Sequence, residues 1–492
     1  MVIQNLLDSL PAHITLLTDG RQALDRAALC ARVERVAAAL SARSRPAAPV
    51  GILADNSPEW LVVDLATQLL GLTLVPLPLF FTPEQWGHII AGSGMGALFC
   101  ADPAQGTALG FERSIDGGGV LALCETARVL DPVHLDGVQK LTFTSGTTSA
   151  PKGVCLSTAQ QWEVAAALRE GVAPLGLGRH LCLLPFAVLL ENIAGPYTAL
   201  LSGATTICPP LLETGMRGAS GFDPDTCLDA IARHEAHSIT LVPQMLQALV
   251  AAAKPGDARL RSLRFVAVGG GKVAAPLLAS ARERGLPVFE GYGLSECASV
   301  VALNLPQTQR EGSVGRPLPH RRVAIAADGE ILVQARAARY LGQAPAEQDN
   351  GWLPTGDLGH LDEDGFLFID GRKKDILITG FGRNVSPEWP EAALTSTGAI
   401  AQAMVVGEAQ AYLGALIVPA RAGLDPAVLR AAVERANAQL PDYAQIRRWY
   451  PVAPFLPAQG LLTPNGRLRR EAIRHLYANE IASLFIQPES TT

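Results

Sequence analysis

The chain has 492 residues, 48% hydrophobic and 17% charged, with 40 basic against 46 acidic side chains and a net charge of −6. That length exceeds what one hydrophobic core supports, so at least two domains are expected. The acidic balance, with no compensating basic cluster, excludes a general nucleic-acid surface.

In chain order, residues 1–10 lack the basic head and apolar run of a secretory leader. Short apolar runs at 50–54, 74–79, 98–100, 141–144, 204–208, 239–242 and 265–268 predict strands. Amphipathic stretches at 57–70, 83–91, 158–169, 224–234 and 275–284 predict helices, with another opened by Pro243 and running to Ala253. The alternation implies an α/β fold of mixed, largely parallel sheets flanked by helices. Segment 181–212 carries a single charge, Glu191, but Pro185, Pro196, Pro209 and Pro210 interrupt it. A buried strand–helix–strand unit is therefore expected, with no transmembrane span. Peripheral membrane contact stays open, because an enzyme for lipid-like acids would gain from it. The eight cysteines form no Cys-x-x-Cys spacing and lie among apolar neighbours. They read as buried thiols in a reducing, cytoplasmic setting, neither zinc ligands nor disulfides.

After Arg321 the texture changes. Asp328-Gly329 between 323–327 and 330–334 predicts a hairpin, and a second apolar pair flanks 362–365. These define a β-rich subdomain over about 312–371, the last part of a large domain spanning 1–371. The charged run Arg372 to Asp375 reads as a hinge, followed by a small mobile α+β domain over 376–492 with a frayed tail from Gln487.

The densest chemistry lies at 142–153, Thr-Phe-Thr-Ser-Gly-Thr-Thr-Ser-Ala-Pro-Lys-Gly. Glycine permits close backbone approach, hydroxyls donate to anionic oxygens and lysine adds a point charge, a composition suited to a polyphosphate. It is not a Walker loop, since Gly-x-x-x-x-Gly-Lys-Ser/Thr is absent. Further along come Gly291-Tyr-Gly-Leu-Ser-Glu296 behind Phe265-Val-Ala-Val-Gly-Gly-Gly271, then Thr355-Gly-Asp357, Asp370-Gly-Arg-Lys-Lys-Asp375 and Phe381-Gly-Arg-Asn-Val-Ser-Pro387.

In this order the motifs resemble the adenylate-forming enzymes: acyl-CoA synthetases, firefly luciferase and peptide-synthetase adenylation domains. The resemblance implies that Thr144, Ser145, Gly146, Thr147, Thr148 and Lys152 bind the phosphates of ATP. It implies that Gly291, Tyr292 and Gly293 lie over the nucleotide, Tyr292 packing on adenine, while Ser295 meets the α-phosphate. Glu296, with Thr147, would hold Mg²⁺, Asp357 the ribose hydroxyls, and Arg372 ribose or phosphate. Lys374 matches the position about which the small domain rotates. Gly380, Gly382 and Arg383 match a loop that then lines a tunnel for pantetheine. The implied chemistry joins a carboxylic acid to ATP as an acyl-adenylate, releasing pyrophosphate. The thiol of CoA, or of a separate carrier protein's phosphopantetheine, then displaces AMP. Lys152, Glu296 and the residue at 467 would carry the catalysis.

Two departures stand out. The last family motif ends in lysine, whereas Thr463-Pro-Asn-Gly-Arg467 ends in arginine. The chain holds 34 arginines and only six lysines, none after Lys374, so arginine reads either as a working substitute or as the mark of an altered first step. The altered reading implies a non-thiol acceptor or a pre-made adenylate; a non-catalytic AMP-binding protein is a third reading. In the second departure, Leu184-Pro-Phe-Ala-Val188-Leu-Leu-Glu191 resembles the long-chain synthetase segment Leu-Pro-Leu-x-His-x-x-Glu, with Val188 in place of histidine. Glu191 reads as a residue that caps or orients a helix. Val188 and the space beside Gly269, Gly270 and Gly271 would form the acid pocket. Its aliphatic surroundings favour a medium or long aliphatic acid over an aryl acid. No aspartate lies nearby to anchor an α-amino group. Lys272 is assigned no role, and Arg383, Arg447 and Arg448 are candidate contacts for the 3′-phosphate of CoA.

Overall fold

The computed structural model describes residues 3–128, 133, 135–144, 152–218, 221–335, 339–343, 351–381, 383–463 and 466–485. Two large sheets dominate the first three hundred residues. In one, Leu17–Thr18, Thr205–Ile207, Arg179–Leu181, Ser238–Leu241, Phe265–Val268 and Val288–Leu294 run parallel, and antiparallel strands close both edges. In the other, Lys140–Thr144, Leu74–Pro76, Val50–Leu53 and Ala97–Cys100 run parallel between antiparallel edges. The expected mixed α/β architecture is borne out.

Several of the longer helices begin where the sequence supplies a start signal. Ser157 caps Thr158–Val172 and exchanges hydrogen bonds with Gln160 in a capping box. Pro224–Arg233 and Pro243–Ala252 carry proline in the first turn, where the missing N–H costs nothing. Helix Arg26–Ser41, absent from the sequence expectations, had a readable signal. Asp25 accepts from the N–H of Ala28, and Leu29, Val33, Val36, Ala37 and Leu40 form its buried stripe.

The first sheet has two unlike faces. On one, Leu181, Ile239, Leu241, Val266 and Val268 pack against Pro224–Arg233, Pro243–Ala252 and Ala275–Glu283. The residues alternating with them, His180, Ser238, Thr240, Phe265 and Ala267, face the other way, as the two-residue strand period requires. That second face is covered by Thr158–Val172 and by segment 189–201, which contains the π-helical turn Ile193–Tyr197 with Pro196 inside it. The 181–212 segment is thus strand, interrupted helix, strand. Among the described residues, no helix is long and apolar enough to cross a membrane.

Strands Val323–Ile325, Glu330–Gln334, Trp352–Leu361 and Leu367–Arg372 form an antiparallel four-stranded sheet. A short turn, Lys373–Asp375, follows. Beyond it, a separate core forms on the sheet Ile400–Val406, Leu413–Pro419 and Ile446–Pro451. Helices Glu388–Thr395 and Pro426–Asn437 cover one face, and Phe455, Leu461, Leu462, Ile473 and Leu484 cover the other. The two cores touch where Gln247 Nε2 donates to the carbonyl of Thr395 (2.7 Å). All eight cysteines are free thiols; seven are buried and Cys30 is half-buried.

Candidate active site

A cavity of about 1640 Å³ opens at the carboxyl ends of the parallel strands, between the sheet and the C-terminal core. That position, beyond the strand ends of an open α/β sheet, is where loops can converge on a ligand. Strand Val288–Leu294 runs into the turn Ser295–Cys297, bringing Tyr292, Ser295 and Glu296 to the wall. Tyr292 Oη donates to Asp357 Oδ2 (2.7 Å), and Arg372 Nε pairs with Asp357 Oδ1 (2.8 Å). Arg372 Nη1 also donates to the carbonyl of Thr355 (3.3 Å). Burial pushes the Asp357 carboxyl up, against the pull of Arg372 and Tyr292. Burial, with Asp357 adding to it, holds the Tyr292 phenol well above its ordinary value.

Glu296 accepts from Tyr340 Oη at 2.6 Å, and its half-buried carboxylate lines the cavity. An oxygen-only donor facing a phosphate-sized space fits a hard divalent cation. Tyr340, not foreseen in the sequence, lies on a short strand paired with Lys152–Leu156, so the strand that starts at Lys152 also positions the partner of Glu296. Lys152 is exposed to the cavity. The backbone of Thr144 pairs with Lys152, whereas Ser145, Gly146, Thr147 and Thr148 lie outside the described residues.

From the C-terminal core, Arg467 reaches across. Its Nη2 donates to the carbonyl of Gly270 (3.2 Å) and its backbone N–H to Thr463 Oγ1 (3.0 Å). Desolvation inside the cavity, then the Arg372 charge, lower its pKa from the usual guanidinium value, while Glu388, Asp357 and Glu296 oppose them. Arg470, three residues on, makes a bidentate pair with Glu391 (2.6 and 2.7 Å) and anchors the arginine loop to Glu388–Thr395. Nothing in the sequence marked Glu391 as its partner.

Gly269, Gly270, Gly271 and Val188 also line the cavity. Gly270 has φ +85, a conformation that excludes side chains, so its glycine is a backbone requirement as well as a space-maker. Lys374 lies at the cavity edge, and Lys272, given no role from sequence, donates to the carbonyl of Ile369 (3.1 Å). The residues expected at the thiol tunnel are not brought to the cavity. Gly380 and Arg383 are exposed and are not among the residues lining the cavity, and Gly382 lies outside the described residues.

A family model described as AMP-binding enzyme matches residues 8–336, and another described as AMP-binding enzyme C-terminal domain matches 374–489. The chain belongs to the AMP-binding enzyme family. Among AMP-binding enzymes it is similar to the 2-succinylbenzoate–CoA ligase of Bacillus subtilis, 30% identical with 81% of this chain and 82% of that one covered. It is similar also to a long-chain-fatty-acid–CoA ligase of Mycobacterium bovis, 28% identical over 87% and 86% of the two chains. Among solved structures, an amide bond synthetase from Marinactinospora thermotolerans superimposes with a TM-score of 0.75 at 26% identity, covering 97% and 99%.

Proposed function

We propose that this AMP-binding enzyme is an AMP-forming acid–thiol ligase. It activates a carboxylic acid as its adenylate and passes the acyl group to a thiol, that of CoA in the first instance. The observation that carries this reading is the meeting of Arg467 with Gly270 beside the Tyr292–Asp357–Arg372 cluster, in a cavity that continues into an apolar channel. A nucleotide seated there places its ribose at Asp357 and its phosphates among Lys152, Arg372 and Arg467. These cations offset the repulsion between the acid's carboxylate and the α-phosphate, the main electrostatic obstacle to the first step. Glu296, positioned by Tyr340, holds Mg²⁺, which when bound neutralises phosphate charge. Rotation about Lys374 would withdraw Arg467 and present the loop of Gly380 and Arg383 to the thiol. The apolar channel supports an acid with an extended aliphatic body, and the two ligase relatives, named for an aryl and a long-chain acid, bracket that choice. The buried thiols support a reducing, cytoplasmic location.

The test is pyrophosphate release from Mg·ATP across a panel of acids. Release should depend on a suitable acid, and Lys152→Ala should depress it by roughly 10²-fold or more. A folded protein that binds ATP and releases no pyrophosphate with any acid sinks the proposal.

A second reading, transfer to a non-thiol acceptor, is favoured by Arg467 in place of lysine and by the similarity to the amide bond synthetase. Competing CoA against simple amines for the adenylate separates the two by product.

A further inference from the structure

The cavity does not end at the nucleotide motifs. It follows the second face of the sheet past Thr240 and Ala267 to His180, Ser238 and Phe265. Val242, at its mouth, and Ser238, at its far end, are four residues apart on one strand, about 13 Å at ~3.3 Å per residue. The walls between are mostly apolar, supplied by Leu190, Ala194 and Ala267, with the hydroxyl-bearing Thr240 beside Ala267 and with Leu168 and Val172 also lining the cavity.

That far end is polar and fully organised. Glu191, wholly buried, accepts from the backbone N–H groups of Leu183 (3.1 Å) and Leu184 (2.8 Å) through one oxygen. Its other oxygen lies 2.9 Å from His180 Nε2, and His180 Nδ1 lies 3.0 Å from Ser238 Oγ. Gly195, in the π-helical turn, is what lets the helix close over this pair. A Cβ there would stand 2.5 Å from both Glu191 Oε1 and His180 Nε2. His180, Cys182 and Glu191 also lie close enough to suggest a metal, but both ring nitrogens and both carboxylate oxygens already have protein partners.

The hydrogen-bond roles follow with Glu191 taken as ionised and His180 as neutral. A carboxylate held by two backbone donors accepts only, so Nε2 carries the proton and donates to Glu191. In the neutral imidazole Nδ1 then accepts, so Ser238 Oγ–H donates to it. The remaining capacity of the chain is the lone pairs of Ser238 Oγ, facing a cavity that an apolar methyl would leave unsatisfied. The buried carboxylate of Glu191 disfavours a second anion in the same low-dielectric end.

We infer that the acid activated here is a hydroxy acid, with an extended apolar body and a neutral hydroxyl at its far end that donates to Ser238. This rests on the proposed ligase activity and specifies its substrate class. The experiment compares kcat/KM for pyrophosphate release with straight-chain acids matched in length and ending in methyl, hydroxyl, oxo or carboxylate. At the best length the hydroxyl acid should exceed the methyl acid by about tenfold or more, the value of one well-made hydrogen bond. Ser238→Ala should erase that ratio, and Ser238→Thr, which keeps the hydroxyl, should retain it. Wild-type preference for the methyl, oxo or carboxylate end overturns the assignment while leaving the ligase reading intact. An unchanged ratio in Ser238→Ala overturns it equally. Absence of release with every acid overturns the ligase reading and this assignment together. If Ser238→Ala fails to fold, the wild-type ratio and Ser238→Thr decide.

Discussion

The two ends of the cavity are built on different principles. At the nucleotide end, side chains from four separated segments converge: Lys152, Tyr292 with Glu296, Asp357 with Arg372, and Arg467. They come from strands, turns and loops alike, all are charged or hydroxylated, and several pair with one another. At the acyl end, the wall is a sheet face and a helix, and the His180–Glu191–Ser238 chain in it is fixed by backbone donors. One end is assembled from charged and hydroxylated side chains of separate segments; the other is a sheet face whose polar groups are tied to the protein itself. The difference teaches that chemistry and selection are physically separable in this fold, one depending on electrostatics and the other on shape with a single hydrogen bond.

That division can be broken most directly at Arg467. Replacing it with alanine removes charge from the nucleotide end and nothing from the acyl end. Pyrophosphate release should fall by about 10²–10³ for every acid alike, with the rank order of acids unchanged. A reordering would show that the two ends are coupled.

Glu290, on the strand that leads to Tyr292 and level with Val268, adds a test through pH. Burial pushes its carboxyl from 4.5 to about 7, with Lys272 and Arg282 opposing. Because the folded state holds this proton more tightly than the unfolded chain does, stability from this group is full below about pH 4.5. It declines as pH rises towards 7 and is level above that. The loss amounts to at most ~3.5 kcal/mol at ~1.4 kcal/mol per pH unit. Urea midpoints of wild type and Glu290→Gln at pH 5 and pH 8 check this. The variant should lack that part of the decline.

Arg467→Lys is the smallest change. It keeps the charge but gives up the planar donor to Gly270, so release should stay within about tenfold of wild type. A rise of ~10² or more would mean that arginine limits the first step and would favour the altered-ligation reading.

Much of the nucleotide end was legible in the chain because its residues cluster in short motifs. Tyr292, Ser295 and Glu296 are neighbours in sequence, and so are Gly269, Gly270 and Gly271. Asp357 and Arg372 were singled out separately, but their pairing was not, since it requires the antiparallel register of Trp352–Leu361 with Leu367–Arg372. Tyr340 escaped notice because an isolated tyrosine in a polar stretch carries no pattern. Arg383, expected in a thiol tunnel, is exposed and does not line the cavity.

The linear order of residues determined the local chemistry: phosphate-suited loops, strand and helix alternation, and the arginine where lysine is usual. Contiguous motifs act through their own backbone and need no distant partner to be read. Only the tertiary structure decided what lies at the far end of the acyl channel. His180, Glu191 and Ser238 come from separate elements, and strand register together with one glycine-lined helical turn brings them within hydrogen-bonding reach.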